Sequence, residues 1–228
     1  MNVEIIPAVN AIDWRTVEER IKLVEPHVRW VHLDVADGTF TANMLWNNPA
    51  DLKNLKTTLK LEVHLMVKNP EAVIDDWIAS GAKRIIVHVE AMRDFDEIKR
   101  KCDAAKVFLM LAITPETSWT ILVPYMRRHA VSFQILAVHP GVSGQQFIDD
   151  STGSLQAPSY IESSYEKIRR IREQCSYCDI EVDGGVKIGI AKKCREAGAN
   201  LFSAASAIYS QPDIAKAIED LKKDVNST

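Results

Sequence analysis

The sequence predicts an α/β fold, a single (β/α)8 TIM barrel over residues 1–228. Three observations lead there. Short apolar, β-branched runs alternate with amphipathic segments along the whole chain, and strict alternation implies parallel strands joined by crossover helices. Eight such units in 228 residues suit a closed barrel. No GxGxxG follows the first strand, as a doubly wound dinucleotide-binding sheet would carry.

Val3 to Val9 reads as the first strand. Trp14 to Glu25 reads as a helix, with Val17, Ile21 and Val24 at helical spacing behind an Asp13 N-cap. The strand with His32 and Asp34 follows, breaking at Gly38, and Asp51 to Thr57 is a short helical piece. Leu59 to Met66 is the third strand, and a helix from Pro70 to Ser80 starts with proline and stops at Gly81. Lys83 to Val89 is the fourth strand, followed by a charged helix from Arg93 to Ala105. Val107 to Ile113 is the fifth, ended by Thr114-Pro115, with helix from Glu116 to His129. Ser132 to Val138 is the sixth, stopped by Pro140-Gly141. The polar stretch 149–159 after it lacks periodicity and reads as a lid, a binding loop or a disordered segment. A helix from Tyr160 to Gln174 precedes the seventh strand, Cys178 to Asp183, which ends at Gly184-Gly185. Lys187 to Ala197 is helical, Asn200 to Ala204 is the eighth strand, and a last helix runs from Pro212 to Lys223.

The composition is that of an ordinary globular protein, 46% hydrophobic and 26% charged. A net charge of −3 leaves no basic footprint for nucleic acid. No apolar run approaches the ~20 residues of a membrane span, and the start of the chain has no basic n-region of a signal peptide, so a cytoplasmic protein is expected. Of the four cysteines, Cys175 and Cys178 form a CxxC, but without a second pair the zinc signal is weak, and free thiols are expected throughout.

In a strand, side chains alternate faces, so His32 and Asp34 point one way while Leu33 and Val35 point the other. Barrel enzymes work at the C-terminal ends of their strands. Here those ends carry His32 and Asp34, His64, His88 and Glu90, His139 and Asp183, while positions nearer the strand middles are expected to be mostly apolar. His32, Asp34, His64 and Asp183 form a two-histidine, two-carboxylate set, which suits one divalent metal such as Zn, Fe(II), Mn or Co and disfavours Ca or Mg. Asp34 and Asp183 lie on different strands, where one can remove a proton and the other return it on the opposite face. A metal there would polarise a carbonyl and hold the resulting enediolate. His88 and Glu90 compete for these roles as alternative ligand and base, although structural roles suit both, and His139 shapes the turn before Pro140. Glycine-rich turns follow the sixth strand (Gly141, Ser143, Gly144) and the seventh (Gly184, Gly185), and Ala205-Ser206 follows the eighth. Such turns let backbone N–H groups approach a phosphate closely. A tight βα turn is the plain reading of each one alone.

These residues resemble the ribulose-phosphate 3-epimerase family. The resemblance rests on His32-Leu33-Asp34-Val35 with Asp37-Gly38, Val63-His64-Leu65-Met66 with Pro70-Glu71, and the His88-Val89-Glu90-Ala91 step. It rests also on Pro140-Gly141 with Gly144-Gln145, Ile180-Glu181-Val182-Asp183-Gly184-Gly185-Val186, and Ser206-Ala207-Ile208. It implies a sugar-phosphate isomerase of the pentose phosphate pathway, interconverting D-ribulose 5-phosphate and D-xylulose 5-phosphate. One metal would sit on His32, Asp34, His64 and Asp183, with Asp34 and Asp183 as the acid/base pair at C3. Substrate and phosphate contacts would come from Met66, Gly141, Ser143, Gly144, Gly184, Gly185, Ala205 and Ser206, usually in a homo-oligomer. The chain also departs from the family. Asn10-Ala11 stand where a serine is usual, Ala36 and Leu136 where methionines are usual, Val142-Ser143 for Phe-Gly, and Ala205 for glycine. These departures alter the substrate wall and the phosphate cup and leave the metal and proton-transfer core intact. Two alternatives therefore stay open: an epimerase for another ketose phosphate such as D-allulose 6-phosphate, and a barrel that binds a sugar phosphate without turning it over.

Overall fold

The computed structural model describes residues 1–128, 132–140, 146–149 and 162–227. Among them are eight strands: β1 (Glu4–Val9), β2 (Trp30–Ala36), β3 (Lys60–Met66), β4 (Arg84–His88), β5 (Phe108–Ile113), β6 (Ser132–Leu136), β7 (Ile180–Asp183) and β8 (Leu201–Ala204). They are hydrogen-bonded in chain order as a closed barrel, which bears out the predicted fold class. The helices are α1 (Trp14–Val24), α2 (Pro49–Leu52), α3 (Pro70–Ala79), α4 (Phe95–Ala105), α5 (Val123–Met126), α6 (Ser164–Gln174), α7 (Ile190–Ala197), α8 (Ser206–Tyr209) and α9 (Ile214–Asn226). None is long and apolar enough to cross a membrane. The chain divides into two compact units, Ile6–Met110 and Met1–Ile5 with Leu111–Thr228, and both boundaries fall inside strands, β1 and β5.

Within the Ile6–Met110 unit, β2 is buried along its whole length and pairs in parallel with β3 from Trp30↔Lys60 to Ala36↔Met66. β3 pairs in turn with β4. Asp13 caps α1 as expected, accepting from Thr16 N at 2.9 Å, and Val17, Ile21 and Val24 form its buried stripe. The helical piece expected over Asp51–Thr57 lies earlier, at Pro49–Leu52. Asn48 accepts from Ala50 N and Pro49 supplies a ready first-turn φ, so the start signal sits upstream of Asp51.

In the other unit, β7 pairs in parallel with β6 and β8. The helix expected from Glu116 to His129 is instead a 3-10 turn at Trp119–Leu122 leading into α5. Ser118 accepts from Thr120 N, and Pro124 falls in the first turn, so the segment starts late; His129 lies outside the described residues. Similarly α6 begins at Ser164 behind a Ser163 cap; the expected start at Tyr160 lies outside the described residues. The short α8 has no start signal in the sequence, since Ala205 at its N-cap offers no side-chain acceptor. The expectation of four free thiols is corrected as well. Cys175 and Cys178 are joined in a disulfide, their Cα atoms 5.6 Å apart across the turn after α6, within bonding range. Arg172 holds that turn, donating from Nη1 to the carbonyls of Cys175, Ser176 and Cys178. Cys102 and Cys194 are free and buried. Burial pushes the Cys102 thiol up to about 12, which leaves it inert.

Lys167 on α6 is 1% exposed. Its ammonium donates to the carbonyls of Thr114, Pro115 and Thr117 at 3.1, 2.6 and 2.7 Å, tying the chain after β5 to the helix. A buried cation is tolerated only when so satisfied. Lys167→Met removes the shared donor of three carbonyls and is predicted to cost about 2–4 kcal/mol in urea denaturation; a change under about 0.5 kcal/mol would contradict this role.

Candidate active site

The parallel register of β2 and β3 sets Asp34 beside His64 and His32 beside Glu62. Because side chains two apart share a face, all four project together. The Oδ1 atom of Asp34 lies 3.2 Å from His32 Nε2 and 3.2 Å from His64 Nδ1. Its Oδ2 accepts from Asn10 Nδ2, also at 3.2 Å. His32 is backed through Nδ1 by Glu62 Oε1 at 2.7 Å. Glu62 is ion-paired with Arg84, its register partner on β4, and the Arg84 guanidinium lies 4.4 Å from the centre of the Trp30 ring. His64 meets His88 through Nε2 atoms 2.9 Å apart.

His32, His64 and Glu62 are fully buried and Asp34 nearly so. Burial alone would push the Asp34 carboxyl up, but the two imidazoles beside it outweigh that and hold it well below the usual aspartate range. For Glu62, burial again pushes up, and the Arg84 charge and the His32 hydrogen bond bring it below the usual glutamate range. His32, Asp34 and His64 each offer a ligand atom within 4.8 Å of the others. Two imidazoles turned to one carboxylate oxygen is a donor set that can hold a divalent metal ion.

The other unit has a buried carboxylate of its own. Asp183 ends β7 and accepts from Ser203 Oγ at 2.8 Å, its register partner on β8. Two residues earlier, Glu181 accepts from Gln134 Nε2 at 3.1 Å, again between register partners. The turn after Asp183 requires its glycines. Gly184 has φ +91°, and a Cβ there would lie 2.4 Å from Val138 Cγ2; Gly185 has φ +68°, and a Cβ there would lie 2.9 Å from Phe147 N. Gly184 and Gly185 are thus packed too closely against Val138 and Phe147 to carry a side chain, in a turn just past a buried carboxylate. Ala205 and Ser206 follow β8, with Ser206 opening α8.

A family model described as the ribulose-phosphate 3 epimerase family matches residues 4–209. The chain belongs to the ribulose-phosphate 3-epimerase family. The ribulose-phosphate 3-epimerase of Escherichia coli K12 is 34% identical over 97% of this chain and 95% of its own. That of Chlamydia trachomatis serovar D is 32% identical over 93% and 88%. The structure of orotidine 5'-phosphate decarboxylase from Pyrococcus horikoshii OT3 has a TM-score of 0.67, covering 99% of this chain and 100% of that one; at 13% identity it shares the fold alone. The family members are isomerases acting on carbohydrates, and the buried histidine–aspartate cluster is compatible with metal binding and two-carboxylate catalysis.

Among the residues read from sequence, His32, Asp34 and His64 come together as drawn. Met66 is buried in an apolar cluster with Ala36 and Leu45, against Phe40. Gly141, Ser143 and Gly144 lie outside the described residues, as does the 149–159 stretch beyond Asp149. His139 is exposed, with Nδ1 2.6 Å from Glu116 Oε1. The expectation of apolar positions nearer the strand middles is corrected: Glu62, Arg84, Gln134 and Glu181 are all buried in the strands. The signal was in the sequence. Glu62-Val63-His64 and Glu181-Val182-Asp183 repeat one alternating pattern, with a glutamate two residues before each site residue.

Because the folded Glu62 carboxyl titrates below its ordinary value of 4.5, its stabilising contribution is full above that value and is lost as the pH falls toward the folded one. Glu62→Gln is therefore predicted to destabilise by about 2–4 kcal/mol near neutral pH, with the deficit shrinking as denaturation is measured at pH values below 4.5. A deficit that grows on acidification would contradict the assignment.

Proposed function

We propose that this protein interconverts D-ribulose 5-phosphate and D-xylulose 5-phosphate by proton transfer at C3. Asp34 and Asp183 act as the acid/base pair, and one divalent cation (Zn, Fe(II), Mn or Co) is held by His32, Asp34, His64 and Asp183. The observation that carries this reading is the convergence of His32 Nε2 and His64 Nδ1 on one oxygen of Asp34, in a chain of this family. When bound, the ion supplies a Lewis acid that polarises the substrate carbonyl and so acidifies the neighbouring C–H.

The chain's own residues do the rest. Asp34 turns Oδ1 to the imidazoles and keeps Oδ2 on Asn10, so the two oxygens have separate duties: Oδ2 takes or returns the C3 proton. Asp183 is held by Ser203 for the same exchange on the opposite face of C3. A pair of carboxylates inverts the centre because each can serve as base in one direction and as acid in the other. Backbone N–H groups around Gly184, Gly185, Ala205 and Ser206, with Gly141, Ser143 and Gly144, receive the phosphate, and Met66 forms an apolar wall.

In D2O with metal supplied, NMR is predicted to show deuterium entering C3 of both pentulose phosphates. Asp183→Asn, which keeps the Ser203 contact but cannot accept a proton, should lower kcat by ~10²–10⁴-fold with the fold unchanged by circular dichroism. Absence of exchange in metal-loaded protein would refute the reading.

A second reading, epimerisation of a longer ketose phosphate such as D-allulose 6-phosphate, is favoured by Ala36 and Leu136, smaller or stiffer than the methionines usual there and both buried at strand ends. A panel of ketose phosphates separates the two. The pentulose reading predicts the highest kcat/KM for ribulose 5-phosphate, and a higher value for the hexulose would replace it.

A further inference from the structure

His88 at the end of β4 has no role in the proposed reaction, yet it is fully buried. Its backbone carbonyl accepts from Ala91 N and Met92 N, both at 3.1 Å. The Phe40 ring packs on it, centroids 4.6 Å apart. One edge, Nε2, meets His64 Nε2 at 2.9 Å, and the other, Nδ1, faces Glu90 Oε2 at 3.3 Å. The two imidazole centroids are 5.0 Å apart with planes 27° from parallel. A 5.0 Å separation with a 2.9 Å nitrogen–nitrogen contact places the rings tip to tip, the geometry of an in-plane N–H···N hydrogen bond.

The chemistry of a neutral imidazole fixes the direction of that bond. His64 turns Nδ1 to Asp34, and an Nδ1 that ligates a cation carries its lone pair there. Its proton then resides on Nε2 and needs an acceptor. His88 Nε2 is at the right distance, so it carries no proton, and the His88 proton sits on Nδ1, where Glu90 accepts it. Metal-ligating histidines are commonly oriented by a carboxylate behind the distal nitrogen. His32 has one directly in Glu62, whereas His64 has one at the second remove, through an intervening imidazole.

We propose that His88 is a positioning residue, which with Glu90 forms an imidazole relay that fixes the tautomer and ring orientation of His64 and thereby sets metal affinity. The inference rests on the metal reading above. Its test is Zn2+ affinity of the chelator-stripped full chain, measured by competition with a chromophoric chelator, for wild type, His88→Phe and His88→Gln. Phenylalanine keeps a ring against Phe40 but cannot accept from His64; glutamine restores an acceptor near the place of Nε2. His88→Phe is expected to weaken Zn2+ binding by about 10–100-fold, and His88→Gln to recover most of that loss, each with a wild-type circular dichroism spectrum. Long-range 1H–15N spectra of Zn-loaded wild type are expected to show the proton of His64 on Nε2 and that of His88 on Nδ1. Equal affinities for wild type and His88→Phe, or a His64 proton on Nδ1, would overturn the relay. Equal losses in both variants would overturn it in favour of His88 as a direct ligand. Wild-type protein that takes up no Zn2+ would overturn the metal reading beneath it as well.

Discussion

The register between β2 and β3 is the constraint on which the site depends. Two parallel strands pair with Asp34 beside His64 and His32 beside Glu62. Side-chain direction in a strand has a period of two, so a slip of one residue would turn every one of these groups to the other face. The apolar partners Val31, Leu33 and Val35, and Leu61, Val63 and Leu65, are buried on the alternate face and resist that slip. The placement of the site residues is thus enforced by hydrophobic burial one residue away.

The same register obliges the protein to bury charge, which is costly unless each group finds a partner. Here the partners form chains. Arg84 answers Glu62, Glu62 answers His32, and His32 shares Asp34 with His64. Asn10 adds an uncharged donor to the second oxygen of Asp34. In the other unit, Ser203 serves Asp183 and Gln134 serves Glu181, each from the neighbouring strand. An uncharged donor, Asn10, stands on one oxygen of Asp34, while the full cation, Arg84, is kept on Glu62, the register partner of His32. That division leaves Asp34 ionised without locking its second oxygen in an ion pair.

The barrel was legible because its signal is redundant: short apolar, β-branched runs alternate again and again with amphipathic segments of period 3.6. The histidines and aspartates of the site were legible for a related reason. Imidazole and carboxylate in an otherwise β-branched run are expensive there, and Trp30-Val31-His32-Leu33-Asp34 leaves little else for them to do. What escaped depends on partners distant in sequence. The sequence alone does not pair Glu62 with Arg84, 22 residues on, or Asp183 with Ser203, 20 residues on; a register is needed first. Local competition hid other features. Asn48-Pro49 moves a helix upstream, Ser118 and Pro124 break one that periodicity would make continuous, and the turn after α6 closes Cys175 onto Cys178.

X-ray absorption at the Zn K edge of the loaded, purified chain tests the central claim most directly. The account predicts one ion per chain, with nitrogen and oxygen ligands at about 2.0–2.2 Å and the outer-shell scattering of two imidazoles. Retained zinc without imidazole scattering, or with sulfur in its first shell, would contradict it.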